Sequence, residues 1–259
     1  MAGQADSPGR GIAIFDKSSY ADERNVPDEL EECSVKKGET IELITQSAPS
    51  HSSKPDPNGN MITKLAKVLL DNYLIAEEDR YILEFFKRAS LSTDGAMFQI
   101  NVKTDTMTPL TLAATKVNTV DGYPELSLKI LYPIEITCEE IIERISKVCV
   151  ENGFRISNVV CGIEPYLLDA SGEIVKRLNK IANEVTGEDI APYTIGGGTY
   201  AHRLPNALVY GMNGNLAPRD FPEGRGWVHG IDESVSLDRL QRAMKIYARA
   251  LLQLNEMEW

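Results

Sequence analysis

The sequence predicts a mixed α/β protein: an α+β domain with a mainly antiparallel sheet and helices on one face, followed by part of a second α/β lobe. Three observations predict it. Segments whose apolar residues alternate with a period of two recur among segments whose apolar residues return every three or four positions, the marks of half-buried strands and amphipathic helices. Residues that cap helices stand where the helical periodicity begins, at Asn60, Thr137 and Ser236. The chain has 259 residues, 42% of them hydrophobic and 25% charged, an ordinary globular composition with length enough for a sizeable core.

Residues 1–22 read as a tail, in which Gly11–Phe15 is either a strand fragment or a cloning scar. Asn25-Val26-Pro27-Asp28 opens the ordered part, because Pro27 fixes an extended or turning backbone. Thr40 to Gln46 alternates Ile41, Leu43 and Thr45, a half-buried strand. The run from Ser47 to Asn60 is crowded with Pro, Gly, Ser and Asn and reads as a surface loop. Asn60 then caps a helix with Met61, Leu65, Val68 and Leu69 on one face, and Glu77 to Ala89 makes a second with Tyr81, Ile82, Phe85 and Phe86.

Ala96–Lys103, Thr108–Val117 and Pro124–Pro133 read as three strands, the last alternating Leu126, Leu128, Ile130 and Tyr132. Thr137-Cys138-Glu139-Glu140 is a capping box opening a helix that buries Ile141, Ile145 and Val148 and stops at Gly153. Phe154 to Val160 reads as a returning strand. The first domain spans 23–166 and the second 167–259. In the second, a helix from about Gly172 to Val185 turns Ile174, Leu178 and Ile181 inward, with Gly187 behind it. Ala191–Ile195 and Ala207–Gly211 read as short buried strands, and a terminal helix behind Ser236 carries Leu237, Leu240, Met244, Tyr247, Leu251 and Leu254 at steps of three and four.

Charge and cysteine content narrow the function classes. Lys+Arg 27 against Asp+Glu 38 gives a net charge of −11, without a basic patch or arm, which speaks against nucleic acid and against an anionic membrane surface. No apolar run reaches the roughly 20 residues of a membrane span, and the polar amino terminus does not read as a signal peptide. Cys33, Cys138, Cys149 and Cys161 are scattered, with no Cys-x-x-Cys pair, so reduced thiols and a cytoplasmic protein are expected.

The chemistry-bearing stretch is Ile195-Gly196-Gly197-Gly198-Thr199-Tyr200-Ala201-His202-Arg203, with His229 some thirty residues on. Glycines let the backbone turn sharply and come close to a ligand, although a plain flexible turn gives the same pattern. His229, followed by glycine and then by Asp232 and Glu233, suits a metal ligand and equally a solvated loop histidine. His51, among serines and prolines, reads by itself as a loop histidine, and His202 as an exposed helix residue. The paired acids Glu31-Glu32, Glu77-Glu78 and Glu139-Glu140 fall on helices or polar connections and read as solvated faces rather than general bases.

Taken in order, Glu164-Pro165-Tyr166, the Gly-Gly-Gly-Thr-Tyr turn, Asn206-Ala207-Leu208-Val209-Tyr210-Gly211, Val228-His229-Gly230 and Asp232-Glu233 leading into Leu240 resemble the di-zinc metallopeptidases. That family holds the bacterial dipeptidases, carnosinases, aminoacylases and desuccinylases, and the dipeptidase branch fits best. The same order of segments holds back to about Asn25. The resemblance implies a lid domain over 23–166, the carboxyl-terminal part of a catalytic lobe over 167–259, and a dipeptide or N-acyl amino acid as substrate. It implies His229 as a zinc ligand, His51 as the lid histidine that donates to the oxyanion, and Asn25 as its helper. Gly197, Gly198 and Thr199 would present backbone amides and a hydroxyl to the substrate, with Arg203 beside them.

Two departures bear on activity. The family carries a His-x-Asp motif, a bridging Asp, a Glu-Glu pair and a further acidic ligand in an amino-terminal lobe, whereas none of the three histidines here is followed two residues later by Asp. Leu131 stands where the dipeptidases carry an arginine for the substrate carboxylate, a contact Arg203 would have to replace. The expectation is therefore a truncated or split zinc dipeptidase, its missing lobe deleted or supplied by another chain or a homodimer, with weak zinc binding at best. The alternatives are a non-catalytic binding or dimerisation module built on the lid fold, and an unrelated α+β amidohydrolase.

Overall fold

Small antiparallel sheets and amphipathic helices make up the fold, so the chain is mixed α/β. The structure, a computed structural model, describes residues 10–16, 26–31, 33–38, 40–46, 52–196, 198–204, 206–211, 225–226 and 232–256. Two compact units emerge: the first comprises Met1–Thr104 and Pro109–Cys161, the second Asp105–Thr108 and Gly162–Trp259.

The first unit contains a three-stranded sheet in the order β1 (Arg10–Asp16), β3 (Thr40–Gln46), β2 (Ser34–Lys37), with β3 antiparallel to both neighbours. The segment around Gly11–Phe15 is thus a paired strand of the sheet. Ile41, Leu43 and Thr45 are all buried, as their alternation predicts, and Ile41 and Leu43 pack with Val26, Val68, Leu69 and Leu74. Val68 and Leu69 lie on α1 (Met61–Asp71). Asn60 starts that helix with its side-chain oxygen accepting from the Ile62 N–H at 2.9 Å. Its amide nitrogen donates to the Ala114 carbonyl at 2.8 Å, so one buried side chain both caps α1 and ties it to a strand. Asn60→Ala removes the cap and orphans a buried carbonyl. It is expected to cost about 2–3 kcal/mol in urea unfolding, against a few tenths for Asn58→Ala on the exposed loop. A loss below about 0.5 kcal/mol would show that the cap is dispensable.

A second core in this unit gathers α2 (Arg80–Leu91), the hairpin of β4 (Thr111–Val120) and β5 (Tyr123–Leu131), and α3 (Cys138–Glu151). The hairpin closes through Asp121 and Gly122, whose φ values of 51° and 83° are those of a two-residue type I′ turn, the geometry an Asp-Gly pair favours. Leu126, Leu128, Ile130 and Tyr132 face this core as their alternation predicts. The Thr137–Glu140 capping box forms with both of its hydrogen bonds, at 3.2 and 3.0 Å. Phe154, just past α3, stacks on Phe85 with ring centroids 4.1 Å apart.

Three sequence expectations are corrected in this unit. Ala96–Lys103 is not a strand: Gly95 and Gln99 take left-handed φ values of 77° and 58° around a short 3₁₀ turn. That curl still buries Phe98 and Ile100. Residues 154–160 form no ladder either, and Val160 is 83% exposed. Extended backbone becomes strand only when a neighbouring strand takes its N–H and C=O groups, and no described strand does so here. Finally, Cys138 and Cys161 are joined as a disulfide, their Cα atoms 6.6 Å apart across 23 residues of sequence. The inference of four reduced thiols, and with it the cysteine argument for a reducing compartment, falls away. Cys33 and Cys149 are free, but burial pushes both thiols up, the wrong direction for a nucleophile.

The second unit is built on α4 (Glu173–Thr186) and α5 (Leu237–Asn255). In α4, Leu178 and Ile181 are buried, with Ile174 packed beside them, and Gly187 ends the helix at φ 75° with its N–H on the Asn183 carbonyl. In α5 the Ser236 hydroxyl caps as predicted, accepting from the Arg239 N–H at 3.3 Å. The apolar stripe is a different matter. Ile246 and Ala250 are the residues buried, whereas Leu237, Met244 and Leu251 are 76%, 64% and 70% exposed. Ala191–Ile195 and residues 207–210 run without strand pairing, again for want of a ladder partner among the described residues. Among the described residues no helix is long and apolar enough to cross a membrane.

Candidate functional site

The glycine turn belongs to the second unit and is pinned on both sides. Ahead of it, the Thr194 hydroxyl accepts from the Thr108 N–H at 3.0 Å, holding the incoming chain to residues 105–108. Behind it, Thr199 starts a single 3₁₀ turn, Tyr200–Arg203. The Thr199 hydroxyl oxygen accepts from the Ala201 N–H at 3.3 Å, and the Thr199 N–H donates to Nδ1 of His202 at 3.2 Å. The His202 ring meets the edge of Tyr166, centroids 5.0 Å apart, and the Tyr166 hydroxyl donates to the Ala207 carbonyl at 2.9 Å. Glu164–Tyr166 is therefore joined through the Tyr166 ring to His202 of the glycine-turn motif and through the Tyr166 hydroxyl to Ala207 of the motif that follows it.

His202 is thus half-buried and hydrogen-bonded, which corrects its reading as an exposed helix residue. Tyr166 and His202 are what the sequence reasoning missed. The one available signal was the Thr-x-x-His spacing, a capping-box register with histidine in place of Glu or Gln. Tyr200 is 87% exposed, and Arg203 is exposed beside it. Gly198 has no left-handed φ, and a Cβ built on it would lie an ordinary 3.6 Å from the Ile163 side chain. Among the described residues, neither backbone strain nor packing demands glycine at that position.

Of the other candidates, Asn25, His51, Gly197 and His229 lie outside the described residues. Leu131 is the half-buried last residue of β5, opposite Thr111. Asp232, three residues after His229, forms an ion pair with Arg225, and Glu233 is exposed. Glu140 serves as a helix cap and Glu77 pairs with Arg80 at 3.5 Å, which accounts for two of the acidic pairs without any role as a base. Further along, Tyr210 donates to the Leu178 carbonyl at 3.0 Å. Burial, helped by the nearby Tyr247, pushes its phenol up and keeps it a neutral donor.

Among the described residues no three His, Cys, Asp or Glu side chains come together as a metal site. The acid nearest His229 in the chain is neutralised by a guanidinium, and Nδ1 of His202 is already an acceptor. The described donors do not fit a zinc site.

The described elements define a mixed α/β protein with a glycine turn anchored through Thr194 on one side and Thr199 on the other. No family model matches the chain. Among curated proteins it is similar to "Putative dipeptidase YtjP" of Bacillus subtilis (strain 168), 24% identical over 238 residues, 92% of this chain and 49% of that protein. It is also 24% identical over 228 residues to the Beta-Ala-Xaa dipeptidase of Lactobacillus delbrueckii subsp. lactis, 85% of this chain and 45% of that protein. A dipeptidase-named protein of Staphylococcus saprophyticus is 25% identical over 244 residues. The chain spans about half the length of the curated relatives it matches. The names of these relatives are those of dipeptidases, and the similarity runs along most of this chain.

Proposed function

We propose that the chain is the substrate-holding part of a zinc-dependent dipeptidase, receiving a dipeptide or an N-acyl amino acid at the glycine turn. The observation that carries this reading is the similarity, along nine-tenths of the chain, to proteins named dipeptidases. Gly198 supports it, since a glycine that neither strain nor the described neighbours require leaves room for close approach of a ligand to the backbone. In this reading His51 donates to the oxyanion of the tetrahedral intermediate with Asn25 as its helper, and Gly197, Gly198 and the Thr199 hydroxyl hold the peptide. Arg203 is exposed at the turn, where solvent screening leaves it little selection for the substrate's free carboxylate. His229 is the chain's contribution to the zinc, whose remaining ligands are not found among the described residues.

Leu131 gives the test. Calorimetric titration with alanyl-alanine and with its carboxyl amide should show the wild-type chain binding both with similar affinity. Leu131→Arg should then favour the free acid over the amide by about 1.5–3 kcal/mol, the value of a charge-assisted hydrogen bond. Absence of dipeptide binding by wild type would overturn the reading. Equal affinity for acid and amide in the variant would place β5 away from the substrate's carboxylate.

A further inference from the structure

We infer that His202 is the positioning residue of the glycine turn, setting the turn's shape for a dipeptide by accepting the Thr199 amide hydrogen through Nδ1. The inference rests on the reading of the turn as the dipeptide site, and it adds a residue with a specific chemical requirement: a neutral acceptor.

Two anchors fix the turn from outside. Thr194 holds the chain before the glycines through Thr108, and the Thr199–His202 bond holds it after them. Gly198 stands directly before the Thr199 anchor, and a glycine's wide backbone freedom lets that anchor decide the direction of the Gly198 amide. At that point the Thr199 N–H is committed to His202 and the Thr199 oxygen to the Ala201 N–H. The amide left to meet a ligand is therefore that of a glycine, not that of Thr199, while the Thr199 hydroxyl keeps its proton to donate. His202 in turn is held from the side by the edge of Tyr166, itself fastened to the Ala207 carbonyl. An imidazole whose Nδ1 accepts carries its proton on Nε2, so the cap selects one tautomer of the neutral ring and is incompatible with imidazolium. A side chain that filled the same space against Tyr166 without an acceptor would leave the Thr199 amide unpaired and the turn unset.

The experiment compares wild type, His202→Ala and His202→Asn, whose side-chain oxygen stands at nearly the reach of Nδ1. Two quantities are read: hydrogen exchange at the Thr199 amide by NMR, and affinity for alanyl-alanine by calorimetry. Wild type and His202→Asn should protect the amide and bind alike. His202→Ala should lose the protection and bind about tenfold more weakly, the equivalent of one hydrogen bond. Unchanged exchange and affinity in His202→Ala would overturn the inference. So would His202→Asn behaving as His202→Ala, which would assign His202 to packing on Tyr166 alone. If wild type protects the amide but binds no dipeptide, the substrate reading fails while the cap stands, and the exchange data separate the two.

Discussion

Purified on its own, this chain is expected to hydrolyse no dipeptide above the uncatalysed background, with or without added zinc, cobalt or manganese. Hydrolysis by metal-activated water needs a cation held firmly enough to make hydroxide near neutral pH, which takes three protein ligands or more around each zinc ion. The sequence offers three histidines. Nδ1 of His202 is occupied by the Thr199 amide, and His51 is assigned to the oxyanion. That leaves His229, and the acid closest after it, Asp232, is paired with Arg225. One imidazole and an engaged carboxylate hold at most weak, easily stripped metal. The loss is the whole of the acceleration, at least about a millionfold for an ordinary enzyme. Metal analysis together with a dipeptidase assay on wild type and His229→Ala checks this. Turnover that follows the added metal and disappears in His229→Ala would overturn it, and would mean that residues outside the described set, or a second chain, complete the site.

The largest effect on stability is expected at Phe98. It is 1% exposed and meets Phe85 edge-on, ring centroids 6.3 Å apart, within the core shared by α2, the β4–β5 hairpin and α3. Removing the ring leaves a cavity that Ile100 and Leu110 cannot fill without leaving their own contacts. Phe98→Ala should therefore cost about 3–5 kcal/mol. Val150→Ala, a 67% exposed position on α3, should change stability by less than about 0.5 kcal/mol and serves as the control. Urea unfolding followed by a probe confined to the first unit avoids mixing the two units' transitions. A loss under about 1.5 kcal/mol would show that this core is loosely packed around Phe98.

The contrast between elements that were legible in the sequence and those that were not has a physical pattern. Helices carry their own hydrogen bonds, so Asn60, Thr137, Ser236 and Gly187 marked helix ends that the structure reproduces. The β4–β5 hairpin was legible for a similar reason: Asp121-Gly122 supplies the turn and Leu126, Leu128 and Ile130 the alternation, all within a short span. Strands whose partners must come from elsewhere were not. Phe154–Val160, Ala191–Ile195 and Ala207–Gly211 have strand-like composition and form no ladder among the described residues, because composition does not say whether a neighbour exists. In α5 the three-and-four spacing picked out Leu237, Met244 and Leu251, which are exposed, and Leu254, which packs with Ala250 against Leu178 and Ile181 of α4.

By itself, then, the sequence determined the mixed α/β class, the helix ends and the glycine turn, since each depends on residues within a few positions of one another. It also carried the dipeptidase resemblance, which lies in the order of motifs. What touches what was decided by the tertiary structure alone. Cys138 and Cys161 became a disulfide, Asp232 was taken by Arg225, and Tyr166 and His202 closed on the glycine turn. Each of these depends on the path of the chain between distant segments, and an imidazole's role is set by which group stands within hydrogen-bonding reach of its nitrogens.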